Sequence, residues 1–204
     1  MQTFEKLRID FYNREDVVLI AKELIGKILV SRFDGIETNG RIVETEAYAG
    51  VNDRASHAWN GRRTARTETM YGEGGTTYVY LCYGLHQMFN VVTNQKDTPH
   101  AILIRALEPI IGIDVMLQRT GKSKVDYTLT RGPGNVAKAL GIFTHHSTLS
   151  LLSDELFIAK DDFQLSPSDI EATKRIGVDY AGNDAHLPYR FILRNNPYVS
   201  RQKK

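Results

Sequence analysis

One cysteine, one tryptophan and six prolines occur among the 204 residues. The lone Cys82 excludes an intrachain disulfide framework and fits a reducing compartment. No run approaches the roughly 18 apolar residues that a membrane-spanning helix needs. The N-terminal stretch MQTFEKLRIDFY also lacks the uninterrupted apolar core of a secretory signal. A soluble chain is expected, cytoplasmic, without a membrane partner. The six histidines, at 57, 86, 100, 145, 146 and 186, form no HExxH motif, and no cysteine pair exists, so no zinc site is expected. Neither a P-loop nor a dinucleotide fingerprint is present, because Gly72-x-Gly-Gly lacks the strand before it and the helix after it. No cofactor is expected. Charge of one sign is scarce too: 26 Lys and Arg against 24 Asp and Glu leave +2, which excludes a histone-like polycation.

What is present is an ordinary globular composition, 42% apolar and 25% charged, which argues against disorder. The length suits one domain over residues 1–204. Residues Asn13 to Gly26 read as a helix, with Asn13 as N-cap and Val17, Ile20, Ala21 and Leu24 at helical spacing. Lys27–Phe33 and Arg41–Tyr48 read as strands around a polar turn at Asn39-Gly40. Residues 49–75 hold eight Gly and Asn or Asp breakers and few aliphatics, a loop long enough to suggest function. Thr76–Tyr83, Met88–Thr93 and Ala101–Leu107 read as strands, and a helix is expected from Pro109 to about Arg119. A second helix follows Thr130-Arg-Gly-Pro-Gly and stops at Gly141. Ser168-x-x-Glu171 has the form of a capping box opening a short helix, and Tyr189–Arg194 reads as a last strand. Short strands interleaved irregularly with helices indicate an α+β fold: a single domain with a curved, mainly antiparallel sheet flanked by helices.

Three segments carry candidate chemistry. In Arg41–Tyr48 a period of two puts Ile42, Glu44, Glu46 and Tyr48 on one strand face. Those carboxylates fit an edge strand with both in water, a base beside an aromatic wall, or the pair of an inverting sugar hydrolase. In Tyr71–Tyr83, four of the ten tyrosines fall within 13 residues. They form either a half-buried ladder on a sheet or open faces on which nucleobases stack. The loop Arg54–Arg66 carries Arg54, Arg62, Arg63 and Arg66 and no acid, a local +4, so the rest of the chain sums to −2. Such a loop is either solvated or grips phosphates. Cys82 reads as a small buried strand residue and His145-His146 as a polar turn.

Arg41-Ile-Val-Glu-Thr-Glu-Ala-Tyr-x-Gly, Ala55-Ser-His57, Tyr78-Val-Tyr-Leu-Cys-Tyr-Gly84, Asn90 and Ile104-Arg-Ala-Leu-Glu-Pro109 follow one another in order. So do Arg131-Gly-Pro-Gly, Arg175-Ile-Gly-Val178 and Pro197-Tyr-Val-Ser200. Together they closely resemble the vertebrate-type 3-methyladenine (alkylpurine) DNA glycosylases, unrelated in fold to the helix-hairpin-helix enzymes. The resemblance implies a monofunctional purine glycosylase of base excision repair. Such an enzyme flips an alkylated, deaminated or etheno purine from double-stranded DNA, working as a monomer and nucleoid-associated if bacterial. Residue by residue, it implies that Glu46 activates the attacking water, with Arg105 and the Ile176 carbonyl helping to hold it. Tyr48, His57 and Tyr80 sandwich the base, the backbone at Ala55 and His57 meets its edge, and Asn90 screens against the guanine amino group. Tyr83 wedges into the duplex, flanked by Gly84, Leu85 and His86, and Arg62, Thr64, Arg66 and Gly84 contact phosphates. His86 departs from a variable position of the family, which leaves substrate preference open.

Overall fold

The computed structural model describes residues 4–200. A one-turn helix α1 (Ile9–Tyr12) precedes α2 (Val17–Glu23). The helix start expected at Asn13 lies at Asp16 instead, whose carboxylate accepts from the Val18 and Leu19 N–H groups. Asn13 closes α1. An aspartate one position before a β-branched apolar pair is the stronger cap because its charge also meets the positive helix end.

Strands β1 (Glu5–Lys6), β2 (Ile28–Phe33), β3 (Ile36–Tyr48), β4 (Thr77–Cys82), β5 (His86–Thr93) and β6 (His100–Ile111) belong to one sheet. It is completed by β7 (Leu156–Lys160), β8 (Ile170–Thr173) and β9 (Arg190–Leu193). The main path runs β1-β7-β2-β3-β6-β5-β4, and β9 joins β3 while β8 joins β9. Every pairing between these strands is antiparallel. The expected α+β class is therefore what forms.

The β2–β3 turn is Asp34-Gly35, both at positive φ (55° and 74°), a two-residue hairpin of the primed kind. Asn39-Gly40, expected as the turn, lies inside β3. A Cβ at Gly40 would come within 2.9 Å of the Glu108 carbonyl, so this glycine serves close strand approach. It sits opposite Pro109 at a register shift, which lets a proline stand in β6 where a helix was expected; that helix, α3 (Ile113–Thr120), starts after Gly112. The helix expected at Ser168 is also replaced: Ser166 caps a single 3₁₀ turn at Pro167–Asp169, and Glu171 lies in β8. The last helix, α4 (Pro133–Leu140), ends at Gly141 as the sequence indicates.

The 49–75 segment is not open loop but holds three 3₁₀ turns, Gly50–Asn52, Trp59–Gly61 and Glu68–Tyr71. The main core lies between the sheet and the helices, with Ile20 of α2, Leu24 at its C-terminal cap, Ile102 and Ile104 of β6 and Val136 and Leu140 of α4 all fully buried. Strand β3 is central. Its first half pairs with β2, its residues 44–46 pair with β9, and β6 runs along its other edge. A bulge between Ile42 and Glu44 marks the handover.

Candidate active site

The bulge in β3 decides which side chains converge. Ile42, expected on the carboxylate face, joins Ala47 in the main core, while Thr45 turns its hydroxyl to the Ala21 carbonyl of α2 (2.8 Å). Glu44, Glu46 and Tyr48 remain together. Both carboxylates are fully buried, so the edge-strand alternative with carboxylates in water does not hold.

Their partners differ. Glu46 Oε2 accepts from the Tyr48 hydroxyl (2.9 Å) and Arg105 Nη1 (3.1 Å), and Oε1 accepts from the Ile176 peptide N–H (2.7 Å). A carboxylate offers about four lone-pair sites, so one on Oε1 is left to accept a proton. Ile176 thus meets Glu46 through its N–H. Glu44 is gripped harder: Oε1 accepts from Arg105 Nε (2.8 Å) and Arg190 Nε (2.7 Å), and Oε2 from the Ser200 N–H (2.7 Å). Burial pushes the Glu44 carboxyl upward, but the two guanidiniums and the Ser200 N–H outweigh it and hold it below the usual carboxylate range. Two carboxylates of equal standing, as a two-carboxylate sugar hydrolase needs, are therefore not what this strand presents. Arg105 keeps its charge because Glu46 and Glu44 together overcome the desolvation that opposes it.

A second buried pair braces this arrangement. Arg175 makes a bidentate bond to Asp53 (2.5 and 2.8 Å), donates to the Ala47 carbonyl (2.9 Å), and lies 4.9 Å from the Tyr48 ring centroid. It fixes the segment whose next peptide N–H holds Glu46. Burial, then the neighbouring Glu46, keeps the Tyr48 phenol protonated and hence a donor.

Beside Tyr48 opens a small cavity. Tyr48, Ala55, His57, Tyr80 and Asn90, singled out from the sequence, all line it, joined by Met70, Tyr78, Ala101 and Tyr180. Tyr78 and Tyr80 come from β4 and Asn90 from β5, where Tyr78 and Asn90 face each other in register. Both hydrogens of the Asn90 amide go to the Tyr78 and Met88 carbonyls, each at 3.1 Å, leaving its oxygen as the group free for a ligand. His57 Nδ1 lies 2.9 Å from the Tyr78 hydroxyl, and its ring meets Tyr80 edge-on at 4.7 Å. Burial first, then Arg66 and Arg62, push the His57 imidazole down to about 4, so it is neutral at pH 7.

No sequence pattern marks Tyr180. It stands 71% exposed at the cavity rim, and its hydroxyl donates 3.1 Å to the Ala55 carbonyl. A tyrosine alone near the Arg175-Ile-Gly-Val178 string gives no periodic signal, and only folding brings it to the 55–57 loop.

The β4–β5 hairpin that lines the cavity ends in Tyr83, Gly84 and Leu85. The Leu85 N–H donates to the Cys82 carbonyl (3.1 Å) across residues 83 and 84, both at positive φ (51° and 71°). Tyr83 is 92% exposed and Leu85 78%. His86, also exposed, lies against Gly134 at the start of α4. From Tyr80 to Tyr83 is three residues, about 10 Å along the strand. Arg62, Thr64 and Arg66 are exposed around a second hollow that touches His57, and the Arg66 guanidinium sits 4.8 Å from the Tyr80 ring centroid. Arg63 does not belong to this group, because Glu68 and Asp97 each bond it at 2.7 Å. The +4 of the loop is therefore locally reduced. Cys82 ends β4 half-buried rather than buried, and His146 stacks on Phe33 at 4.0 Å instead of forming a plain polar turn. Among the described residues no group of three or more His, Cys, Asp or Glu is placed to hold a metal ion, and no helix is long and apolar enough to cross a membrane.

The family model of the methylpurine-DNA glycosylases matches residues 10–197. Bacterial relatives named "Putative 3-methyladenine DNA glycosylase" align over nearly the whole chain. That of Chlamydia abortus is 46% identical over 184 residues, 90% of this chain and 95% of its own. That of Clostridium acetobutylicum is 44% identical over 206 residues, 98% of this chain and 99% of its own. That of Bacillus cereus is 46% identical over 195 residues, 92% of this chain and 95% of its own. With a match of that extent, the chain belongs to the methylpurine-DNA glycosylase family, whose members hydrolyse N-glycosyl bonds in DNA.

Proposed function

We propose that the whole chain acts as one monomeric domain, a monofunctional glycosylase that removes alkylated, deaminated or etheno purines from double-stranded DNA at the nucleoid. The observation that carries this reading is one buried carboxylate, Glu46, bonded to the hydroxyl of a tyrosine that walls an aromatic-lined cavity.

An enzyme acting on a base must take it out of the stack, at a cost of a few kcal/mol, and hold it between π faces. Tyr48, Tyr80 and His57 provide those faces. Because His57 is neutral, it does not repel an alkylated purine that carries positive charge, and the electron-rich tyrosine faces attract one. Ala55 and His57 offer backbone groups to the base edge. Asn90, whose amide hydrogens go to the Tyr78 and Met88 carbonyls, screens bases by their exocyclic groups.

As the bond between C1′ and the base nitrogen breaks, its electron pair leaves with the base and the sugar becomes oxocarbenium-like. Glu46 stabilises that cation and takes the proton of the water that attacks C1′, leaving an abasic sugar. Arg105 and the Ile176 backbone orient the carboxylate and the water. The groups bonded to Glu46 are a phenol, a guanidinium and a peptide N–H, with no amine among them, which supports hydrolysis without a Schiff base or strand cleavage. Tyr83, with Gly84, Leu85 and His86, fills the gap in the duplex, and Arg62, Thr64, Arg66 and Gly84 grip phosphates.

The test is single-turnover release of hypoxanthine, ethenoadenine or 3-methyladenine from a duplex. The wild type should release at least one, and Glu46→Gln should lower the rate by about 10²–10⁴. No release by the wild type from any of the three would overturn the proposal.

A further inference from the structure

Four buried charges alternate along one line: Glu46, Arg105, Glu44 and Arg190. Only the first reaches the cavity, through Tyr48. The outer end is tied to the C-terminal segment, where Glu44 accepts from the Ser200 N–H and Arg190 donates to the Ser200 carbonyl (2.9 Å). Arg190 also donates to Thr173 (3.0 Å) and stands opposite Glu46 in the β3–β9 register. The glycosylase chemistry proposed above uses Glu46 and Arg105 and leaves Glu44 and Arg190 without a task. A fold has little reason to bury two further charges on stability grounds alone, since a buried ion pair gains little over apolar packing.

Building on that reading, we infer that Glu44 and Arg190 are positioning residues that set the strength of the Glu46 base through the Arg105 guanidinium they share. Arg105 divides itself between two carboxylates, Nε to Glu44 and Nη1 to Glu46. Glu44 thereby holds the guanidinium plane in register and spends part of its field. Without Glu44, all of Arg105's charge falls on Glu46, which then keeps its ionised form to lower pH and is a weaker base. Without Arg190, the Glu44 charge is less compensated and acts on Glu46 in the opposite sense. The other groups facing Glu46 are Tyr48 on its own strand, the Ile176 N–H, and Arg175 and Tyr180 from the segment after β8, and neither substitution touches these.

The size of the effect follows from two unit charges about 7 Å apart, two strand rises, at an effective dielectric of about 20: about one and a half to two pH units. The experiment is the pH profile of single-turnover hypoxanthine release for wild type, Glu44→Gln, Arg190→Gln and Glu44→Asp. Thermal unfolding establishes which variants are folded, and the Glu46 carboxyl titration is followed in parallel by ¹³C NMR. The acid limb should move down by about one and a half to two units in Glu44→Gln, up in Arg190→Gln, and stay near wild type in Glu44→Asp. A rate lowered equally at every pH, or limbs moving the same way in both variants, overturns the inference. If Glu44→Gln does not fold, an unmoved limb in Arg190→Gln overturns it alone. If the wild type releases no base, the glycosylase reading fails separately, and the NMR titrations of the same variants still decide the charge coupling by the same signs.

Discussion

Substituting Tyr83 by glycine should separate what the hairpin tip needs for folding from what it does on DNA. Tyr83 sits at φ 51°, where a side chain costs roughly 1–2 kcal/mol relative to glycine. Its ring is 92% exposed, so of the ~200 Å² a tyrosine can bury only about 16 Å² is lost, about 0.4 kcal/mol. Glycine also loosens the unfolded chain, at a cost of about 0.4–1 kcal/mol. The balance lies between about zero and 1 kcal/mol of stabilisation, a melting temperature unchanged or raised by about 2–4 °C for a chain of this size. On DNA the same change removes the group proposed to replace the extruded nucleotide. Excision from a fully paired duplex should fall about 10- to 100-fold, with a smaller loss from a mismatch whose base is already half unstacked. Calorimetry and single-turnover excision on the two substrates provide the assay. A loss of more than about 1 kcal/mol of stability would show that the Tyr83 side chain holds the hairpin together, and equal losses on both duplexes would remove the wedge role.

Other sites give outcomes of different kinds. His57 titrates near 4 when folded against about 6.5 unfolded, so below pH 6.5 the unfolded chain binds the extra proton and stability falls as pH drops from 6.5 to 4. His57→Phe should flatten that part of a denaturant-versus-pH series, and an unchanged slope would refute the neutral assignment. Arg62→Ala should lower the steepness of log binding constant against log salt by about 0.9 on duplex DNA, measured by anisotropy titration, whereas Arg63→Ala should change it little because acids already occupy Arg63. Asp53→Ala leaves the buried Arg175 without its carboxylate and should cost about 3–5 kcal/mol in urea unfolding.

Much of this architecture is written locally. The β4–β5 hairpin, the stop of α4 at Gly141 and the pairing of Glu46 with Tyr48 follow from alternation, a C-terminal glycine and a period of two. The misplaced turn at Asn39-Gly40 has a physical reason: two glycine signals stand five residues apart, and only the packing of Leu107 and Glu108 against Gly40 decides which one bends the chain. Ile42 was assigned to the wrong face because alternation fails at a bulge, and a bulge is a property of two strands rather than one. Strands β7 and β8 are short, and their partners lie far along the chain, so nothing in their own residues announces them. The loop's +4 stands as a count, but its pairing is not local: Asp97, which bonds Arg63, lies 34 residues beyond it. For the site, the family motifs mark Tyr48, Ala55, His57, Tyr80 and Asn90 of the cavity lining, while Tyr180 and Arg190 emerge only from the three-dimensional arrangement.

The bond between the Ser200 N–H and Glu44 joins residues 156 positions apart. During synthesis the segment bearing Glu44 and Glu46 leaves the ribosome long before β9 and its tail exist, so the second half of β3 waits without its neighbour. A prematurely terminated chain that lacks residue 190 onward retains the residues of the β2–β3 and β4–β5 hairpins, yet leaves Glu44 without Arg190 and the Ser200 N–H. In nascent and truncated products the outer end of the buried charge line thus stays open, although Tyr48, Arg105 and Ile176, the groups bonded to Glu46, are already present.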